Sequence, residues 1–250
     1  MCKDFEIQVG DVMIVKGKTI KSKILSIAQK ALYWNNTSSH VLISLADGLY
    51  IHSTGDKGVH IISFKELLPN IESNFKIIRL RNLDKTKINN LQKTITYYMN
   101  QEYNKAFFFE IKNTSFCSQL IAKTYEQAAI KIFDKHHTFV TPADFEREAN
   151  SQNNWEDITT QTISKYKEYI SQGHNYDMTY LIIKRIMLLR KEAIRGRNIL
   201  YDAIMKSGLF SKHMQDSYDK MQRNLAPKLQ ALNWDDIHAK YYKKDIYKFH

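Results

Sequence analysis

SSHVLISLADGLYIHST, residues 38–54, decides how this chain folds. It is apolar from Val41 to Ala46 apart from Ser44, turns at Asp47-Gly48, and becomes apolar again at Leu49. A run, a turn and a second run read as two antiparallel strands. Each strand carries a histidine, His40 at the start of the first and His52 towards the end of the second. A second stretch, SFCSQLIAKTYEQAA at 115–129, opens with Ser115 and predicts an amphipathic helix with Cys117 in its first turn. A helix N-terminus lowers the pKa of a thiol, and an imidazole nearby holds the resulting ion pair. Cys117 is therefore the candidate nucleophile and His40 the candidate general base and acid. The competing reading of Cys117 is a small buried hydrophobe, which free cysteines commonly are.

The role of His52 depends on register. A two-residue Asp-Gly turn pairs Ile43 with His52 and His40 with Gly55. His52 then lies roughly 10 Å along the strand from His40, on the opposite face. A longer turn, or a bulge that shifts the register by one, puts both rings on one face. His52 would then fix the tautomer of His40, the part an aspartate plays in a serine triad.

Working outward, Val9 to Lys16 predicts a strand entered through Gly10-Asp11, and Lys18 to Trp34 has helical spacing. Gly58 to Ile62 and Phe75 to Arg81 predict further strands. Ser63 caps a short helix stopped at Pro69, and Asp84 starts a helix running to about Gln101. Thr141-Pro142 has the N-cap and first-position chemistry of another helix. Beyond the polar joint 150–154 everything predicts helix, over 155–172, 176–193, 196–207 and 212–232. The expected architecture is α+β: a small antiparallel sheet packed on the Cys117 helix as a domain over 1–149, with a helical extension over 150–250. Tyr180 to Leu189, the most apolar run of that extension, is expected to be buried.

With 250 residues, 43% of them hydrophobic, the chain can bury a sizeable core. The net charge of +11 divides as +5 over residues 1–150 and +6 over 151–250, so no basic domain points to a specific nucleic-acid partner. Two cysteines, Cys2 and Cys117, build no disulfide framework, and free thiols suit a reducing compartment. No signal peptide or 18-residue apolar span is present, so the expected location is the cytoplasm, or export by a signal-independent route. The remaining histidines, among them His60 and His136-His137, have no zinc-site spacing, and there is no glycine-rich phosphate loop. Neither a cofactor nor a metal is expected.

QVGDVMIV, SSHVLISLADGLYIHST and GVHIISFKELL resemble the permuted papain-like cysteine hydrolases of the YiiX type, circularly permuted relatives of NlpC-type cell-wall peptidases. Gly10-Asp11, Ser39-His40, His52 and Phe116-Cys117-Ser118-Gln119-Leu120 follow that family's order of motifs. Tyr103-Asn104 with Phe107 resembles the Tyr-Asp-x-x-Phe stretch before its cysteine, and Thr141-Pro142-Ala143-Asp144 its Ser/Thr-Pro-x-Asp segment. The resemblance covers about residues 8–148 and implies a cysteine hydrolase or acyltransferase that works through an acyl-thioester on Cys117. His52 stands where that branch often has Glu, which is similar to the lecithin-retinol-acyltransferase-like branch, whose Asn-Cys-Glu-His stretch is absent here. The implied substrate is a peptide or peptidoglycan amide, or a lipid acyl group with a peripheral membrane contact. The alternative is a catalytically silent binding module of the same fold.

Overall fold

The structure is a computed structural model that describes residues 7–16, 38–46, 48–71, 75–99 and 101–171, with scattered helical positions between 180 and 220. The helix expected over Lys18 to Trp34 lies outside the described residues, as do most positions of the helices expected after 172. The chain divides into two compact units, Met1–Leu189 and Arg190–His250.

Six strands form one sheet: β1 Val12–Lys16, β2 Ser38–Ala46, β3 Leu49–Thr54, β4 Gly58–Ser63, β5 Phe75–Leu80 and β8 Trp155–Asp157. Their order is β4-β3-β2-β1-β5-β8, and every neighbouring pair is antiparallel. The two central strands are apolar at consecutive positions because both faces are covered. Met13, Val15, Leu42, Tyr50 and Ile77 pack with Phe64 and Leu67 of helix α1 (Phe64–Ile71) and with Ile163 and Tyr166 of helix α5 (Thr159–Ser171). The remaining helices are α2 (Lys85–Tyr98), α3 (Cys117–Gln127) and α4 (Pro142–Ser151), and each of them contacts β2. They contribute Leu91, Ile95, Leu120, Ile121, Tyr125 and Phe145 to the buried core.

Local chemistry accounts for most boundaries. Asp84 caps α2 by accepting the Lys87 N–H, and Ser63 caps α1 by accepting the Glu66 N–H. The first helix does not stop at Pro69 but runs through it to Ile71. At α4, Asp144 accepts both the N–H and the hydroxyl of Thr141.

Trp155–Asp157, expected as the start of a helix, is instead the edge strand of the sheet. Its backbone pairs with β5, and Trp155 buries its ring against Tyr125 and Phe145. An unpaired β5 edge and a large aromatic ring outweigh the helical pattern that follows. The Tyr180–Leu189 run also differs from expectation, since Leu181, Leu188 and Leu189 are exposed while Tyr180 is buried and donates its hydroxyl hydrogen to Glu66. Among the described residues no helix is long and apolar enough to cross a membrane.

Candidate active site

Cys117 opens α3 behind a tightly held approach. Short strands β6 (Glu102–Tyr103) and β7 (Thr114–Ser115) pair in parallel and bring Tyr103 level with Ser115. Buried Asn104 ties the intervening loop, donating to the Phe109 carbonyl and to Gln119 Oε1 while accepting the Ala106 N–H. Gln119 Oε1 also accepts the Phe116 N–H, and Ser118 donates to the Val140 carbonyl. The first turn of the helix is thus held from three directions.

The Cys117 side chain is buried, and its sulfur meets the backbone N–H groups of Val41, Ser118 and Cys117 together with the Ser118 hydroxyl. Burial pushes the thiol up to about 11, while those donors pull it down by less. The helix N-terminus alone predicts a depressed thiol. Desolvation wins instead, because a charged sulfur in a dry pocket loses more hydration than the amides return. The resting group is a thiol.

A bulge decides where the histidines go. Ala46 pairs with Leu49 as a two-residue turn requires, but the register shifts between Ser44 and Ala46, leaving Leu45 as the extra residue. Ile43 consequently faces Ile51 and not His52, and His40 and His52 come to one face of the sheet. Their rings meet edge to face with centroids 5.1 Å apart, and His40 Nε2 is hydrogen-bonded to His52 Nδ1 at 2.8 Å. Burial lowers His40 to about 4, with a smaller contribution from His60. Burial also holds His52 well below the ordinary imidazole value, assisted by His40, His60 and Lys57.

His40 Nδ1 is buried with no hydrogen-bond partner among the described residues. No hydrogen bond joins it to Cys117. What connects the two is β2 itself, since the amide that meets the sulfur belongs to Val41, the residue after His40.

His60 extends the row: its Nε2 lies 2.9 Å from His52 Nε2, and the two residues are register partners across β3 and β4. Sequence reasoning passed over His60 as a lone ring. The signal was the hairpin Thr54 to Gly58, whose closure sets His52 opposite His60. It also passed over the Tyr103 hydroxyl, which is buried without a partner and whose pKa is raised by burial and then by the neighbouring Cys117.

Among the described residues one group offers several metal-binding atoms, with Glu110, His136 and His137 each placing one within 4.8 Å of the others. The set does not fit a cation. His136 Nδ1 already accepts the Thr138 N–H, and Glu110 Oε1 lies 3.4 Å from the Lys123 ammonium and 3.4 Å from His137 Nε2. Glu126 Oε2 lies 2.6 Å from the other nitrogen of His137, so the carboxylates here already have partners within the protein.

A buried cysteine at a helix start and a hydrogen-bonded histidine pair on an antiparallel sheet, with the histidines first in the chain, define a permuted papain-like α+β protein. The chain belongs to the permuted papain-like amidase enzymes of the YaeF/YiiX, C92 family, whose family model matches residues 6–169. Among solved structures it is similar to one titled metalloprotein yiiX from Escherichia coli O157:H7, at 20% identity and a TM-score of 0.37, over 48% of this chain. The matched part spans 66% of that chain, just under two thirds of its length. No curated protein matches.

Proposed function

We propose that this protein is a cysteine amidase that works through an acyl-thioester on Cys117. The observation that carries the reading is the His40–His52 pair, which leaves one buried, unpartnered ring nitrogen on the residue next to the amide that meets the Cys117 sulfur. In the proposed reaction, His40 Nδ1 takes the thiol proton as the sulfur attacks the amide carbonyl carbon. The oxyanion forms against the Cys117 N–H and the Tyr103 hydroxyl. His40 then delivers the proton to the leaving nitrogen as the C–N bond breaks. Water, losing its proton to His40, cleaves the thioester to a carboxylic acid and restores the thiol. His52 holds His40 in orientation throughout.

The resting pair, a high-pKa thiol beside a low-pKa imidazole, is neutral. His40 therefore acts as a general base during attack and does not sit in a preformed ion pair, as the helix terminus alone would suggest.

A lipid acyl group as substrate is favoured by one observation, an aromatic rim on the loop before Cys117. Phe107 packs on Phe116 at 5.3 Å, Phe108 stacks on Phe139 at 6.1 Å, and Phe109 is 70% exposed. The test is intact-mass analysis after acid quench, with a panel of peptide amides, N-acyl amino acids and acyl esters. An adduct mapped to Cys117 and lost in His40→Ala supports the reading, and the panel member that forms it fixes the substrate class. Product formed with an added amine or alcohol would mark transfer over hydrolysis. Absence of any Cys117 adduct across the panel overturns catalysis and leaves a binding module.

A further inference from the structure

The row of histidines ends on a group that has only one hydrogen-bonding role. His60 Nδ1 lies 3.0 Å from the Gly58 carbonyl, and a carbonyl oxygen only accepts, so this nitrogen carries a proton. Gly58 cannot readily move away. It sits at φ +64°, and a Cβ added there would lie 2.7 Å from the Gln101 carbonyl oxygen, which also receives the Val59 N–H.

From that fixed end, the protons along the row follow. A neutral His60 offers a lone pair at Nε2, so His52 must donate from its own Nε2 and accept at Nδ1. His40 must then donate from Nε2, which leaves its Nδ1 as a bare lone pair. A second proton on His60 reverses every bond: His52 Nε2 accepts, its Nδ1 donates to His40 Nε2, and the His40 proton sits on Nδ1, where it blocks proton removal from a thiol.

We propose that His60 is a positioning residue which, through the Gly58 carbonyl at one end and His52 at the other, sets the tautomer that leaves a lone pair on His40 Nδ1. This rests on the reading of His40 as the base that serves Cys117. A purely structural role for His60, ring packing against His52 with centroids 4.2 Å apart, demands no particular tautomer. The neutral state of the buried His40 and His52 rings agrees with the proposal.

The test is long-range proton–nitrogen NMR on the full chain labelled at histidine nitrogen near neutral pH, with rings assigned from single variants. The wild-type protein is expected to show Nε2–H at His40 and His52 and Nδ1–H at His60. His60→Phe keeps a ring but removes the acceptor, so His52 and His40 should lose their single tautomers and Cys117 acylation should slow by at least about tenfold. His60→Gln returns an acceptor oxygen and should recover much of both. An Nδ1–H form of His40 in the wild type, or tautomers unchanged in His60→Phe, overturns the proposal. Should His60→Phe fail to fold, the wild-type and His60→Gln spectra still decide. The spectra need no substrate, so a failure of the amidase reading is seen separately, as absence of acylation at Cys117 in the wild type.

Discussion

Ser53 donates its hydroxyl hydrogen to the Ser115 carbonyl at 2.6 Å, tying the strand of His52 to the residue two before Cys117. The carbonyl also receives the Asn104 N–H, so it keeps a partner when the serine is removed. Ser53→Ala should therefore cost only about 1 kcal/mol in urea unfolding, the net worth of one hydrogen bond. Acylation of Cys117 should fall further than that loss implies, because strand and helix are no longer pinned together. An unchanged acylation rate would show that the tether serves folding alone.

In the proposed reaction a neutral thiol and a neutral imidazole leave a proton in flight when sulfur attacks. Cys117 acylation should therefore be slower in deuterated water, whereas a preformed thiolate–imidazolium pair has no proton to move in that step. Stopped-flow acylation in the two solvents checks this, and equal rates would point to the ion pair.

Acid should destabilise the fold in a defined window. Unfolded His40 binds a proton below about pH 6.5, while the folded ring does so only near 4. Between those values the unfolded chain holds the extra proton, so stability is full above the window and is lost as pH falls through it. The slope per ring reaches about 1.4 kcal/mol per pH unit. His52, also depressed, adds to it. Urea midpoints from pH 7.5 down to about 4.5 should show a shallower decline for His40→Gln than for the wild type.

Tyr103→Phe should separate stability from turnover. A buried hydroxyl without a partner costs about 1–3 kcal/mol, so its removal should leave the fold as stable or more stable. If that hydroxyl serves the oxyanion, turnover should fall by roughly 10²–10³-fold. Thermal unfolding and turnover measured on the same preparation decide, and a variant with full turnover removes Tyr103 from the chemistry.

The strands around Asp47-Gly48, the helix starting near Cys117 and the caps at Ser63, Asp84 and Thr141 were all legible in sequence, because each rests on local patterns. The His40–His52 contact was legible only as one of two registers. Leu45 looks like any other apolar strand residue, and a one-residue bulge leaves no mark in the hydropathy pattern. The β8 strand was hidden for a similar reason: Trp155 is drawn to Tyr125 and Phe145, thirty and ten residues earlier in the chain. The resting protonation of Cys117 was illegible, because helix position can be read along the chain whereas burial cannot. His60 could have been found by closing the hairpin through Gly58 on paper.

The bulge at Leu45 makes the chemistry a matter of counting as well as of residue identity. Absorbing Leu45 into regular pairing behind the same two-residue turn would send His52 to the other side of the sheet with every candidate side chain still present. Such a chain would look intact by motif with its histidine pair broken by geometry. The histidines share a face when their spacing matches the turn length and the bulges together, so a change in one must be met by a change in another. The strand register between His40 and His52 is thus a closer marker of an assembled histidine pair than the presence of either one.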